Sequence, residues 1–364
     1  MLRLVLSTCL TIFLCLAARG QTPTPSPTTP APSPSPPSLL GSLDAADLQR
    51  AIPIIRDNYI NPAALNDTEL LRATLAGLLE RLDGGVMLRP ARSAGGPTPA
   101  PFYREVMGGR VGYLRPGELS RAQLQELDTS LHGFTGKVNA IILDLRGSVE
   151  ANDYATGADF ARRFVPKGKP LFALRGPAGK PARDFVSDQA PLYSGLIVVL
   201  ADGETAGATE VLAALLRFYN RAIIIGETTA GRAVDYSDLP LPGGKILRVA
   251  VAEAILPDER SRYPEGVKPD LPVALARSAK EQIFQQSLTK GMAPFVFESD
   301  RPHLNEAALL AGTNPEIEAL QASQQRRAQG GEKAPPPLHD AVLQRAVDLI
   351  TSIEVYEKQS APVP

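Results

Sequence analysis

The chain has 364 residues, 44% of them hydrophobic and 21% charged, with a formal net charge of -1. That balance suits one medium-sized or two small globular domains, and it carries no electrostatic footprint for nucleic acid or an anionic membrane. Both cysteines, Cys9 and Cys15, fall in the opening segment, so the remainder has neither a disulfide nor a cysteine nucleophile.

The opening MLRLVLSTCLTIFLCLAARGQ sets a basic Arg3 before an apolar run and ends in the small-residue spacing of Ala18-Arg19-Gly20. This predicts a signal peptide over residues 1–20, export, and a mature chain beginning at Gln21 in the periplasm or outside the cell. An N-terminal membrane anchor is the lesser alternative, because the apolar run is shorter than the roughly 20 residues that a span needs. Residues 21–42 follow as a proline-rich linker in which TPTPSPTTPAPSPSPPS favours extended backbone and offers nothing to bury.

Residues 43–90 read as a helical subdomain. Leu48, Ile52, Ile55 and Tyr59 recur at helical spacing, and Leu71, Leu75, Leu78 and Leu82 do so again after Asn61-Pro62, with Asn66 or Asp67 as N-cap. The expectation is an antiparallel helical pair whose apolar faces pack. From Gly84 to Gly109 the glycine- and proline-rich sequence reads as loop, with residues 91–109 a short linker.

Strands and helices alternate beyond Gly109. Arg110–Leu114 is a short strand, and Ser120 with Gln123 predicts a capping box. Strands AIILDLR, PLFALR, LIVVLA, RAIIIGE and KILRVAVAEAI then alternate with helices DYATGADFARRF and ATEVLAALLRFY, the pattern of a mostly parallel sheet covered on both faces. Residues 276–364 form a C-terminal extension, interrupted by GGEKAPPP and ending in a helical run through Val342, Ala346 and Ile350, which is expected to dock as a cap. Sites in such sheets gather beyond the carboxyl ends of the strands, here DLRGSVEAND and ADGETAGATEVLAALL.

From about Leu48 to Val273 the chain resembles the C-terminal processing, or tail-specific, serine peptidases. The blocks DNYINPAAL, VGYLRPGELS, IILDLRG, FARRFVPKGKPLF, RAIIIGETTAGRA and GVKPDLPV occur in that family's order and spacing. The resemblance implies an α/β fold with a mostly parallel or mixed sheet covered by helices, a ClpP/crotonase-like core over residues 110–275, and an N-terminal helical pair. It also implies serine-type endopeptidase activity without a cofactor. Family members carry a turn G-S-A-S-A-S-E, whose middle serine attacks the peptide carbonyl, and a downstream G-E-K-T-F-G-K-G, whose second lysine is the general base.

Laid on this sequence without gaps, the turn's glutamate falls on Glu210 and the second motif begins at Gly226-Glu227. The nucleophile position is then Gly207, the base position Arg232, and the position of a glutamine that orients the base Tyr236. The oxyanion segment N-P-G-G becomes Gly147-Ser148-Val149-Glu150. Glycine has no nucleophile, and a guanidinium keeps its proton at neutral pH, so no catalytic residue of the dyad is intact. Gly147, Ser148, Ala206, Gly207 and Ala208 remain candidates for an oxyanion or peptide groove.

Thr205 and Thr209 are the alternative nucleophiles, although each sits two positions from the apex and reads more simply as a turn residue and a first-turn helix residue. Ser148 reads as a turn serine and Lys245 as a hairpin lysine. His132, His303 and His339 lack metal-ligand spacing, and no metal site is expected. The PDZ domain that most family members insert after the helical pair is expected to be missing, since about 25 residues cannot fold as a domain of ordinary size.

Three readings follow: a catalytically silent homologue that binds peptides or unfolded protein segments, an active serine-type peptidase with a non-standard nucleophile, and a structural module with a closed groove. The sequence leaves the oligomeric state open.

Overall fold

The structure, a computed structural model, describes residues 40–91, 99–150, 152–177, 182–296 and 338–360. The predicted signal peptide, both cysteines, nearly all of the proline-rich linker, His303 and the GGEKAPPP break lie outside the described residues. The chain divides into two compact units, Met1–Thr74 and Leu75–Pro364.

In the first unit, α1 (Ala45–Asn58) is capped by Asp44, whose Oδ1 accepts the Asp47 N–H at 2.8 Å. A 3-10 turn at Pro62–Leu65 leads to α2 (Asp67–Arg81), which starts in this unit and continues past Thr74. Asn66, not Asp67, is the cap, accepting the Glu69 N–H at 3.1 Å. The expected packing is not seen: neither helix has a buried residue, and Ile52 is 49% exposed. Helical periodicity places these side chains on one face, but two helices have too little surface to enclose a core.

The second unit contains two sheets. One has six strands in the order β11-β8-β7-β4-β3-β2: β2 (Tyr103–Met107), β3 (Val111–Arg115), β4 (Ala140–Asp144), β7 (Leu196–Ala201), β8 (Ala222–Gly226) and β11 (Leu271–Pro272). Every pairing is parallel except that of β2 with β3. The other sheet is antiparallel and contains β1 (Val86–Pro90), β5 (Pro170–Arg175), β6 (Arg183–Val186), β9 (Val234–Leu241) and β10 (Lys245–Ile255).

Two expectations are corrected here. The Gly84–Gly109 stretch is not all loop, because β1 pairs with β10 and β2 extends the parallel sheet. Glycine and proline at its ends masked two five-residue strands whose register is supplied by distant partners. PLFALR and KILRVAVAEAI also leave the parallel sheet for the antiparallel one. Short apolar runs do not declare which sheet they join.

The six-stranded sheet is covered on both faces. Ile141, Leu143, Ile197, Val199 and Ile224 point toward a core that includes residues of α3 (Arg121–Phe134), α4 (Tyr154–Arg162) and α5 (Ala208–Phe218). The alternate residues Ala140, Ile142, Val198, Leu200 and Ile225 face a second core, as the two-residue period of a strand requires. That core is completed by Ile283 of α6 (Arg277–Lys290) and by Val342, Leu343, Ala346, Val347 and Ile350 of α7 (Ala341–Ser360). The C-terminal helices therefore dock on the sheet, and the run through Val342, Ala346 and Ile350 is their buried stripe. No helix among the described residues is long and apolar enough to cross a membrane.

Capping of α3 is half as predicted. Ser120 Oγ accepts the Gln123 N–H at 3.4 Å, but Gln123 Oε1 accepts the Gly117 N–H at 2.7 Å instead of returning to Ser120.

Candidate functional site

The carboxyl ends of β4, β7 and β8 lie side by side, so the loops after them meet. After β7 the chain turns through Asp202–Gly207 into α5. The Thr205 N–H bonds the Asp202 carbonyl at 3.0 Å, and Thr205 Oγ1 accepts the Asp202 N–H at 3.1 Å. At the apex Gly207 has φ 63° and ψ -137°, a conformation essentially reserved for glycine. A strand, a sharp turn and a helix in this arrangement resemble the backbone of a nucleophile elbow, with no side chain at the apex.

The loop after β8 is locked to this turn. The Gly207 N–H donates to the Arg232 carbonyl at 3.1 Å, and the Ala230 N–H to the Thr205 carbonyl at 3.0 Å. Glu210, fully buried in the first turn of α5, accepts from Thr229 Oγ1 at 2.7 Å, Gly231 N–H at 3.0 Å and Arg232 N–H at 2.8 Å. Burial raises the Glu210 pKa, while these donors and Arg232 act against the rise. The glutamate thus fixes one loop against the other.

Beneath the loop after β4 is a buried ionic cluster. Arg146 donates to Asp144 through Nε at 2.9 Å and Nη2 at 2.6 Å, and to Asp340 through Nη1 at 3.0 Å and Nη2 at 2.9 Å. Tyr113 OH donates to Asp144 at 2.7 Å. Burial alone would raise the Asp144 pKa, but Arg146 and the Tyr113 hydroxyl outweigh it and hold the carboxyl below its ordinary value. Asp340 also caps α7, accepting the Leu343 N–H at 3.0 Å. One guanidinium therefore joins the end of β4 to a helix far along the chain.

Above this floor is an open cavity of about 650 Å³ whose lining includes Gly147, Ser148, Glu150, Arg232, Lys280 and Phe284. Gly147, Ser148 and Arg232 are thus brought together. Ala206, Gly207 and Ala208 are buried and are not among its lining residues. Arg232 Nε stands 3.5 Å from Glu150 Oε1, and Arg248 Nη1 stands 3.9 Å from Glu150 Oε2. A protonated guanidinium paired with a carboxylate has no lone pair to take a proton from a nucleophile. Tyr236 OH is turned to the Gly84 carbonyl at 2.5 Å, and burial, aided by the Glu150 charge, pushes its pKa up to about 12.

The alternative nucleophiles Thr205 and Thr209 lie in the turn and in the first turn of α5. Thr205 Oγ1 is engaged inside its own turn, and Ser148 Oγ donates to the Pro116 carbonyl at 2.7 Å. Thr209 Oγ1 is buried without a hydrogen-bond partner. His132 lies on α3, its Nδ1 2.7 Å from the Asp128 carbonyl. Lys245 opens β10 on the surface, and among the described residues no cluster of His, Cys, Asp or Glu could hold a metal ion.

Among the described residues, five buried side-chain atoms lack a hydrogen-bond partner: Glu150 Oε1, Asn152 Oδ1, Tyr154 OH, Thr209 Oγ1 and Arg232 Nε. All five lie on the segments that follow β4, β7 and β8. Two of them, Glu150 Oε1 and Arg232 Nε, face each other at 3.5 Å.

Sequence reasoning passed over Asp144, Lys280, Phe284 and Asp340. Lys280 Nζ bonds the Arg146 carbonyl at 3.1 Å, Glu204 Oε2 at 2.6 Å, and Asp202. Two signals were available. Lys280, Phe284 and Leu288 recur every four residues, and Asp340 stands directly before a helical run as an N-cap would.

The profile of peptidase family S41 matches residues 110–273. The chain is 26% identical over 210 residues to the chloroplastic carboxyl-terminal-processing peptidase 1 of Arabidopsis thaliana, covering 55% of this chain and 43% of that protein. It is 28% identical over 164 residues to the carboxyl-terminal-processing protease of Synechocystis sp., covering 45% and 38%. The chain thus spans less than half the length of these relatives. A solved photosystem II D1 C-terminal processing protease aligns with a TM-score of 0.40 at 24% identity, over 52% of this chain and 47% of that one. The similarity is thus to peptidase family S41 and to C-terminal processing proteases, and it lies in the domain that begins at β3 and ends just after β11.

Proposed function

We propose that this chain is an exported, catalytically silent member of that family that binds peptides or unfolded protein segments in the cleft beyond β4, β7 and β8. One observation carries the reading: the elbow is intact in backbone but has Gly207 at its apex, and the base position holds Arg232 facing Glu150. Losing a triad nucleophile costs on the order of a millionfold in turnover in a well-studied protease. The connection between β1 and β2 is too short to hold a separate domain of ordinary size. The carboxylate of Glu150 and the guanidinium of Arg232 in the lining of the cleft suit the alternating N–H and C=O groups of an extended backbone. Export rests on the opening sequence.

The test is incubation of the purified chain with an unstructured reporter peptide, followed by calorimetric titration with the same peptide. No cleavage above background, together with saturable binding, is expected. Cleavage that disappears in Thr205→Ala or Thr209→Ala protein would overturn the silent reading. Absence of binding would overturn the peptide-binding half.

A further inference from the structure

The cleft has a second compartment. A cavity of about 280 Å³, lined by Ala100, Pro101, Arg115, Gly147, Phe284 and Leu288 among others, shares Gly147 and Phe284 with the polar one. Its outer wall is α6, which lies beyond the segment matched by the family profile. Lys280, Phe284 and Leu288 are spaced at i, i+4 and i+8, so they lie along one helix face.

Each wall is fixed. Lys280 ties α6 to the loops after β4 and β7 through Arg146, Asp202 and Glu204. The Phe284 ring rests on the Arg115 guanidinium, 4.0 Å from the ring centroid, and Arg115 also lies 4.7 Å from the Tyr103 centroid and donates to Ser287 Oγ at 3.0 Å. On the opposite side the Ala100 carbonyl accepts from Gln123 Nε2 at 3.0 Å. It approaches so closely that a Cβ on Gly117 would stand 1.9 Å from it. A glycine at 117 is what lets this wall close in.

Leu288 is 55% exposed at the mouth of the cavity. A rigid, largely apolar recess opening from a polar cleft fits one chemistry: a peptide whose main chain meets Glu150 and Arg232 while an apolar side chain enters the recess. We infer that the recess between Leu288, Phe284, Pro101 and Ala100 is a side-chain subsite that selects peptides carrying an apolar residue of about leucine size. This rests on the peptide-binding reading above. Burying such a side chain contributes enough to give roughly tenfold or greater discrimination against a polar one.

The probe is a pair of fluorescein-labelled Gly/Ser dodecapeptides, one with a central leucine and one with serine there, titrated by anisotropy into the full chain. The leucine peptide is expected to bind at least about tenfold tighter. Leu288→Glu should abolish that preference. Leu288→Ser should weaken the preference, and Arg232→Ala should weaken both peptides together and keep their ratio. Thermal midpoints of the Leu288 variants should match the parent. Equal affinities in the parent, or a preference that survives Leu288→Glu, would overturn the subsite and leave peptide binding standing. If neither peptide binds, both readings fall.

Discussion

The floor and the rim of the cleft are built from the same kinds of side chain and behave oppositely. In the floor, the Arg146 guanidinium makes four hydrogen bonds to Asp144 and Asp340, and between the loops above it Glu210 is met by three donors. At the rim, Glu150 and Arg232 face each other at 3.5 Å, with Glu150 Oε1 and Arg232 Nε both lacking a hydrogen bond. A satisfied buried network holds a fold, whereas an unsatisfied pair costs stability unless something else meets it. The difference separates what keeps the domain folded from what the proposed peptide would meet. Arg232, at the proposed base position, falls on the second side.

The largest effect should come from breaking the floor. Asp340→Ala leaves Arg146 with one carboxylate instead of two, and removing one member of a buried ionic cluster typically costs about 3–5 kcal/mol. A marked fall in the midpoint of urea denaturation is expected, and an unchanged midpoint would remove the floor's claim to stability.

Acid should reach the same cluster without mutation. The folded-state pKa of Asp144 is depressed, so its contribution is fully present above the ordinary aspartate value near 3.9 and is lost as the pH falls through the folded value. Thermal midpoints should therefore decline below about pH 4. A midpoint that holds flat well below that pH would contradict the assignment.

Gly207→Ser should have a middling effect. The glycine-type dihedrals at the apex make a side chain cost about 1–3 kcal/mol. No peptidase activity should return while Arg232 remains, and rapid cleavage of an unstructured peptide by this variant would show that the site has a base other than residue 232.

The smallest effect belongs to the rim. Glu150→Gln should change stability by no more than about 1 kcal/mol, because misaligned, partly solvated ion pairs contribute little. The same variant should alter peptide affinity measurably by calorimetry. A stability loss as large as that of Asp340→Ala would erase the distinction between rim and floor.

Much of this architecture was legible in the sequence, and the failures have a common cause. Strands β4, β7 and β8 announce themselves as apolar runs ending in polar loops, and the elbow follows from a small-residue turn entering an apolar helix. The spacing from Glu210 to Gly226 then places Arg232 beside the turn, where the Gly207 N–H meets its carbonyl. The partners were hidden. Strands β1 and β2 are recognisable only through β10 and β3, and the role of Asp144 only through Arg146 and a carboxylate on α7. Local pattern reports what a segment prefers, whereas these residues are defined by what distant segments bring to them. The exposed faces of α1 and α2 are the converse case, where a clear local pattern has no buried counterpart.

The bond from Arg146 to Asp340 spans 194 positions, and this has a kinetic corollary. Contacts between residues far apart in sequence form late, because a long loop must be closed before they stabilise anything. The elbow and the Glu210 network connect residues about twenty apart and can assemble early. In refolding, the cleft should therefore gain its shape before its floor is secured, and the docking of α7 should be the step that turns a preformed groove into a durable one.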